Sequence, residues 1–126
     1  MNIPKELKYS KSHEWVEFEG EGTAVIGITD FAQEELGGLV FVNLPEVGED
    51  IKVGESFADV ESVKAVSDVF SPVTGVVAQV NAALIDDPAQ INENPYDSWL
   101  IKVKDIKETE ELLDADAYES FTEEQE

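Results

Sequence analysis

Apolar and polar side chains alternate over much of the first two-thirds of the chain, the period of half-buried strands rather than of helices. Trp15 to Phe18 alternates, Glu19–Gly22 supplies a turn, and Thr23–Gly27 alternates again, which predicts a β-hairpin. Thr29 and Asp30 then open a short helix over Phe31–Leu36, stopped by Gly37 and Gly38. Leu39–Leu44 is β-rich and ends at Pro45, and further turns fall at Val47 and Gly48 and at Val53 and Gly54. Phe57–Ser62 and Val66–Ser71 predict two strands with Val63, Lys64 and Ala65 between them. Pro72 and Gly75 turn the chain into a strand over Val76–Val80, and a longer loop follows over Asn81–Asp97. A last strand, Trp99–Lys104, places Trp99, Ile101 and Val103 on one face and Lys102 and Lys104 on the other.

The tail changes character. Thr109–Leu113 and Asp116–Phe121 predict two short helical turns with acidic starts, which suit the helix dipole. Leu112, Leu113, Tyr118 and Phe121 are expected to pack back on the body, and residues 122–126 to fray. No linker divides the sequence, so residues 1–126 read as one domain with a core over about 7–121. The class expected is mainly β: a flattened barrel or sandwich with one short internal helix and C-terminal helical turns. Trp15 and Trp99 read as core aromatics, and Gly27, Gly37 and Gly75 as backbone turns.

Composition narrows the chemistry. With 42% apolar residues the chain can bury a core, while its longest apolar runs, such as Leu39–Val42, are too short to cross a bilayer. The N-terminus has no apolar signal core, which suits a bacterial cytoplasmic protein. Cysteine is absent, so disulfides and thiolate chemistry are excluded, and any redox sulfur must arrive on a cofactor. His13 is the only histidine, which removes multi-histidine metal sites and reads as a packing or hydrogen-bonding residue. The net charge of −21, from 29 acidic and 8 basic residues, makes nucleic acid and anionic membrane poor partners. Such a field speeds encounter with basic protein surfaces, or serves solubility alone.

The informative stretch is Val60–Gly75. Two strands of similar length flank Lys64, which puts it at or near a hairpin tip, open to acylation. Acylation would remove its charge and add a long arm. From spacing alone a lone exposed lysine is more often plain surface. Glu61 to Ala65 followed by Ser71 to Gly75 resembles the lipoyl-attachment hairpin of glycine cleavage H proteins. Ser12 to Val16, Gly27 to Gly37, Val40 to Pro45 and Asn94 to Tyr96 resemble further motifs of that family, in its order, over about residues 7–121. The stretch between Tyr96 and Trp99 is one residue shorter than the family's usual form.

The resemblance implies a fold of the lipoyl-domain, barrel-sandwich hybrid type and a non-catalytic carrier, with lipoate in amide linkage to Lys64. Glu61, three residues before Lys64, is either read by the lipoylating enzymes or an ordinary exposed strand charge, and recognition is the favoured reading. The resemblance further implies that Ser12, Glu14 and Asp68 line a cleft that holds the protonated amine of the loaded arm. The partners implied are a pyridoxal-phosphate glycine decarboxylase, a tetrahydrofolate-dependent aminomethyltransferase and dihydrolipoyl dehydrogenase, with the carrier a monomer in one-carbon metabolism. Rival readings are a lipoyl relay that hands lipoyl groups to other enzymes, a lipoyl domain of a 2-oxo acid dehydrogenase, a biotin carrier, and an unmodified acidic interaction module. Biotin carriers typically flank the lysine with methionines, whereas Val63 and Ala65 stand here.

Overall fold

Alternating segments become antiparallel strands, and the glycines between them become turns. The computed structural model describes residues 2–125. Its strands are β1 (Lys8–Tyr9), β2 (Glu14–Gly20), β3 (Thr23–Ile28), β4 (Leu39–Asn43), β5 (Asp50–Ile51), β6 (Ser56–Ser62), β7 (Val66–Phe70), β8 (Val73–Val80) and β9 (Ile101–Thr109). Its helices are α1 (Asp30–Leu36), α2 (Ala83–Asp86), α3 (Gln90–Glu93) and α4 (Ala115–Gln125). One sheet has the order β1-β2-β3-β9-β8-β5 and the other β4-β6-β7. The expected mainly-β, flattened sandwich is therefore what forms, as two sheets.

Inward residues of both sheets make the main core: Val16, Ile26, Val77 and Val103 from one, Val42, Val60 and Val69 from the other. A second, smaller core lies around Tyr9, Trp15 and Tyr118, beneath α4. Thr29 caps α1 as its sequence predicts, its side chain accepting from the Ala32 amide at 3.2 Å. Gly37 ends the helix at φ 85°, a conformation costly for other residues.

Several local expectations need correction. The 81–97 segment contains the one-turn helices α2 and α3, so α1 is not the sole internal helix; Leu84 and Ile91 fill the main core from them. Trp99 precedes β9 and packs on the second core with Lys102 above its ring, whereas Ile101 and Val103 enter the main core. The 109–113 stretch is not helical. β9 runs on to Thr109, and Leu113 forms a β-bridge with Tyr9. Only the second predicted turn is helical, and it extends to Gln125, with Thr122 fully buried, so 122–125 belong to a packed helix.

Gly27 and Gly75 lie within strands and serve close packing rather than turns. A Cβ on Gly27 would lie 2.6 Å from ring atoms of Trp15, and one on Gly75 2.8 Å from the Lys104 carbonyl oxygen. Gly27 thus lets the indole lie flat on β3 while its Nε1–H donates to the Pro95 carbonyl at 3.1 Å. Gly27→Ala is expected to lower stability by about 1–3 kcal/mol through overpacking, measured as a drop in the urea midpoint at unchanged slope.

Candidate functional site

Strands β6 and β7 pair up to Glu61 and Val66, and the chain reverses over Val63 and Lys64. The reversal is braced from inside by Ser62, which is buried although it sits beside an exposed tip. Its amide donates to the Ala65 carbonyl at 2.7 Å, and its Oγ accepts from the amides of Lys64 and Ala65 at 3.2 and 3.0 Å. This is the local hydroxyl-to-backbone bonding that favours serine at turns. The tip is also anchored sideways. The Val63 amide donates to the Gly38 carbonyl at 3.2 Å. The Gly37–Leu39 segment is in turn held by Asn92, whose Nδ2 donates to the Gly37 carbonyl and whose Oδ1 accepts from the Leu39 amide, both at 2.9 Å.

Lys64 is exposed, and its stem runs over Gly37: a Cβ built there would lie 3.4 Å from Lys64 Cε. The bare glycine leaves a shelf along which the lysine, or a group extending it, can lie. Glu61 is exposed on β6 opposite Val66 and Phe41.

Glu14 is different in kind. It begins β2 and is only 2% exposed, an unusual burial for a carboxylate. Ser10, fully buried, donates to its Oε1 at 2.6 Å; Ser12, on the surface, donates to the same oxygen. Its Oε2 accepts from the Phe70 amide at 3.3 Å, so Glu14 ties the first sheet to edge strand β7 of the second. Burial pushes its pKa up to about 7 against the three hydrogen bonds, which act to lower it. Asp68 lies two residues before Phe70 on β7, exposed, with the Ser56 hydroxyl 3.4 Å from its Oδ1. Ser12 and Glu14 are thus brought into contact, while Asp68 stands nearby along the strand and hydrogen-bonds elsewhere.

His13, between Ser12 and Glu14, adopts φ 74° and turns its ring away to α4. The ring stacks on Phe31 at 4.5 Å, Nδ1 meets the Tyr118 hydroxyl at 2.7 Å, and Nε2 meets Gln125 Oε1 at 2.9 Å. The glutamine oxygen can only accept, so Nε2 carries the proton, Nδ1 accepts from Tyr118, and Tyr118 accepts from Thr29 at 2.8 Å. Burial holds the histidine below its usual pKa, which keeps this neutral arrangement at pH 7. Histidine here is a hydrogen-bonding residue that clamps the C-terminal helix behind the Ser10–Glu14 turn. Tyr118→Phe leaves Thr29 and His13 short of a buried partner and is expected to cost about 1–3 kcal/mol, read from the melting temperature and from faster amide exchange in α4.

Comparison with known proteins decides the family. The family model for "Glycine cleavage H-protein" matches residues 7–125. The glycine cleavage system H protein of Lachnoclostridium phytofermentans is 57% identical over 121 residues, 96% of this chain and 95% of that protein. The H protein of Escherichia coli is 51% identical, covering 98% of each chain. The crystal structure of the H protein from Mycobacterium marinum superposes with a TM-score of 0.90 at 42% identity, over 96% of this chain and 99% of that one. The chain belongs to the glycine cleavage H-protein family. That family is one of lipoyl-bearing carriers.

Several supporting residues escape sequence reasoning. Ser62 carried a signal, since a serine just before a tight turn often bonds the turn's own amides. Ser10 and Asn92 carried none. Their partners lie 4 residues away around a left-handed turn and 53–59 residues away, and no local pattern reports either.

Proposed function

We propose that this chain is the lipoyl-carrying component of glycine cleavage, with the lipoyl group in amide linkage to Lys64. The braced two-residue tip carries this reading: Ser62, Gly38 and Gly37 fix the base of Lys64 while leaving its ammonium in solvent. A rigid base with a free end is what a swinging arm needs. Amide formation takes a proton from the Lys64 ammonium. The freed amine attacks the carbonyl of an activated acyl donor, a C–N bond forms, the nitrogen gives up a second proton, and the leaving group departs with its electron pair. When bound, the lipoyl group supplies the sulfur that accepts a one-carbon unit.

The partners are a pyridoxal-phosphate glycine decarboxylase, which loads the aminomethyl group, and a tetrahydrofolate-dependent aminomethyltransferase, which takes the one-carbon unit and frees ammonia. Dihydrolipoyl dehydrogenase would reoxidise the arm's dithiol to the disulfide, taking the two electrons and two protons onto its own redox cofactors. Lipoylating enzymes act on Lys64 and read Glu61. The polypeptide itself is non-catalytic; it acts as a monomer in the bacterial cytoplasm, where its acidic surface draws partners with basic faces. Ser12, Glu14 and Asp68 hold the cargo's ammonium. Support for this is the carboxylate's burial next to a surface hydroxyl: an arriving cation meets a charge already shielded from water.

The test is reconstitution. Lipoylated protein mixed with glycine decarboxylase should release carbon dioxide from glycine in proportion to carrier added. A lipoylated protein that decarboxylase ignores, but that donates its lipoyl group to other enzymes, would mark a relay instead.

A further inference from the structure

The sheet β4-β6-β7 leaves an unusual amount of apolar surface in water beside Lys64. Val40 is 55% exposed, Phe41 50%, Val63 79% and Val66 66%. A β-bulge produces part of this. The β4–β6 register slips between Leu39 and Phe41, so Leu39 and Val42 are buried while the consecutive Val40 and Phe41 both face out. Phe41 pairs with Glu61, and Glu61 with Val66, so the two apolar side chains flank that carboxylate across three strands. Val63 stands in the turn itself. The next row along the sheet is Asn43, Asp59 and Asp68. An apolar band therefore lies directly beneath the lysine tip, with an acidic row beyond it. Scattered exposed valines are ordinary; a band gathered at one reactive lysine marks an interaction surface.

We propose that this band is the docking surface for the enzyme that forms the amide on Lys64, and that the enzyme meets it with an apolar patch fringed by basic side chains. The inference rests on the reading of Lys64 as the acylated lysine. Geometry selects this occupant: an enzyme that brings an activated carbonyl to within bonding distance of Lys64 Nζ must cover Val63 and come down over Val66 and Phe41. Charge selects the fringe. A second copy of this chain, also at −21, would set acidic rows against each other, whereas lysines and arginines would complement Asp59, Glu61 and Asp68. The inward faces of these strands already hold the core, so folding gives Val40, Phe41 and Val66 no reason to be large and apolar.

The test uses the whole apo protein, a bacterial lipoate-attaching enzyme, lipoate and ATP, with product read by intact mass. Phe41→Ser combined with Val66→Ser should raise KM for the carrier roughly tenfold with kcat little changed. Added salt should raise KM for the wild type. Acetylation of Lys64 by acetic anhydride, mapped by peptide mass, should proceed at the wild-type rate, showing that the lysine is as reactive as before. Phe18→Ser and Val47→Ser, which remove exposed apolar residues from β2 and from the loop between β4 and β5, should leave KM unchanged. Unchanged KM in a folded band variant would overturn the proposal, as would an equal rise in the Phe18 or Val47 variants. A wild-type dimer that the same band substitutions dissociate would overturn it in favour of self-association. A wild type that accepts no lipoate overturns the reading of Lys64 itself, a failure distinct from normal lipoylation of the band variants.

Discussion

Lys64→Arg is expected to reduce glycine-dependent carriage to background while leaving the fold intact. Arginine keeps the cation and most of the length, so it preserves whatever the surface charge contributes. Its guanidinium stays protonated at any usable pH and offers no free amine for acylation. The exposed tip makes no demand that arginine cannot meet, so stability should stay within about 0.5 kcal/mol of wild type. Ser62, Gly38 and Asn92 hold the turn through backbone atoms and their own side chains, and the substitution leaves all three in place. Carbon dioxide release in the reconstituted system checks it. Residual lipoylation at another of the lysines would show as mass gain in this variant and would remove Lys64 from its role.

The second large effect concerns Glu14. Glu14→Gln keeps an acceptor for Ser10 and Ser12 but removes the charge. In the proposed function, hydrolysis of a loaded aminomethyl arm would yield the thiol, formaldehyde and ammonium, and a hydrogen bond from its ammonium to the Glu14 carboxylate would slow this. Loss of one charge-assisted hydrogen bond costs about 1.5–3 kcal/mol, so ammonia release should quicken roughly ten- to a hundredfold. The difference should depend on pH in a stated direction. Glu14 is pushed up to about 7 by burial, so it is the carboxylate above that pH and the neutral acid below it. The wild-type advantage should be full above pH 7 and fade as pH falls, with its midpoint drawn below 7 by the bound ammonium. Stability runs the other way. A raised pKa contributes stability fully below the unfolded value of 4.5, lost as pH rises through about 7, an effect of about 3 kcal/mol. Glu14→Gln should therefore flatten the loss of melting temperature between pH 5 and 8. Equal decay rates for wild type and variant at pH 8 would remove Glu14 from the cleft.

What the sequence displays and what it hides divide along physical lines. The β2–β3 hairpin, the Thr29 cap, the Gly37 stop and the Lys64 hairpin were legible because each is specified by neighbours within a few residues. Period-2 alternation sets a strand, and a hydroxyl or glycine sets its end. The role of Gly27 was not legible, because the indole that occupies its space comes from an adjacent strand. The tail misled because acidic, propensity-rich segments look alike. The structure distinguishes 109–113 from 115–125 by distant partners: Tyr9 bridges Leu113 into a β pairing, while Tyr118 and Gln125 reach His13. Glu14 shows the same limit within the site. In sequence it is one acid among 29, and only the fold reveals that Ser10 and the Phe70 amide take it out of water.

In the function proposed above one lysine, Lys64, bears the arm. Incubation of apo protein with a bacterial lipoate-attaching enzyme, followed by intact-mass and peptide mapping, tests it most directly. A single lipoyl addition, confined to the peptide that contains Lys64, is the expected result. An unmodified protein, or a lipoyl group on any other lysine, would contradict it.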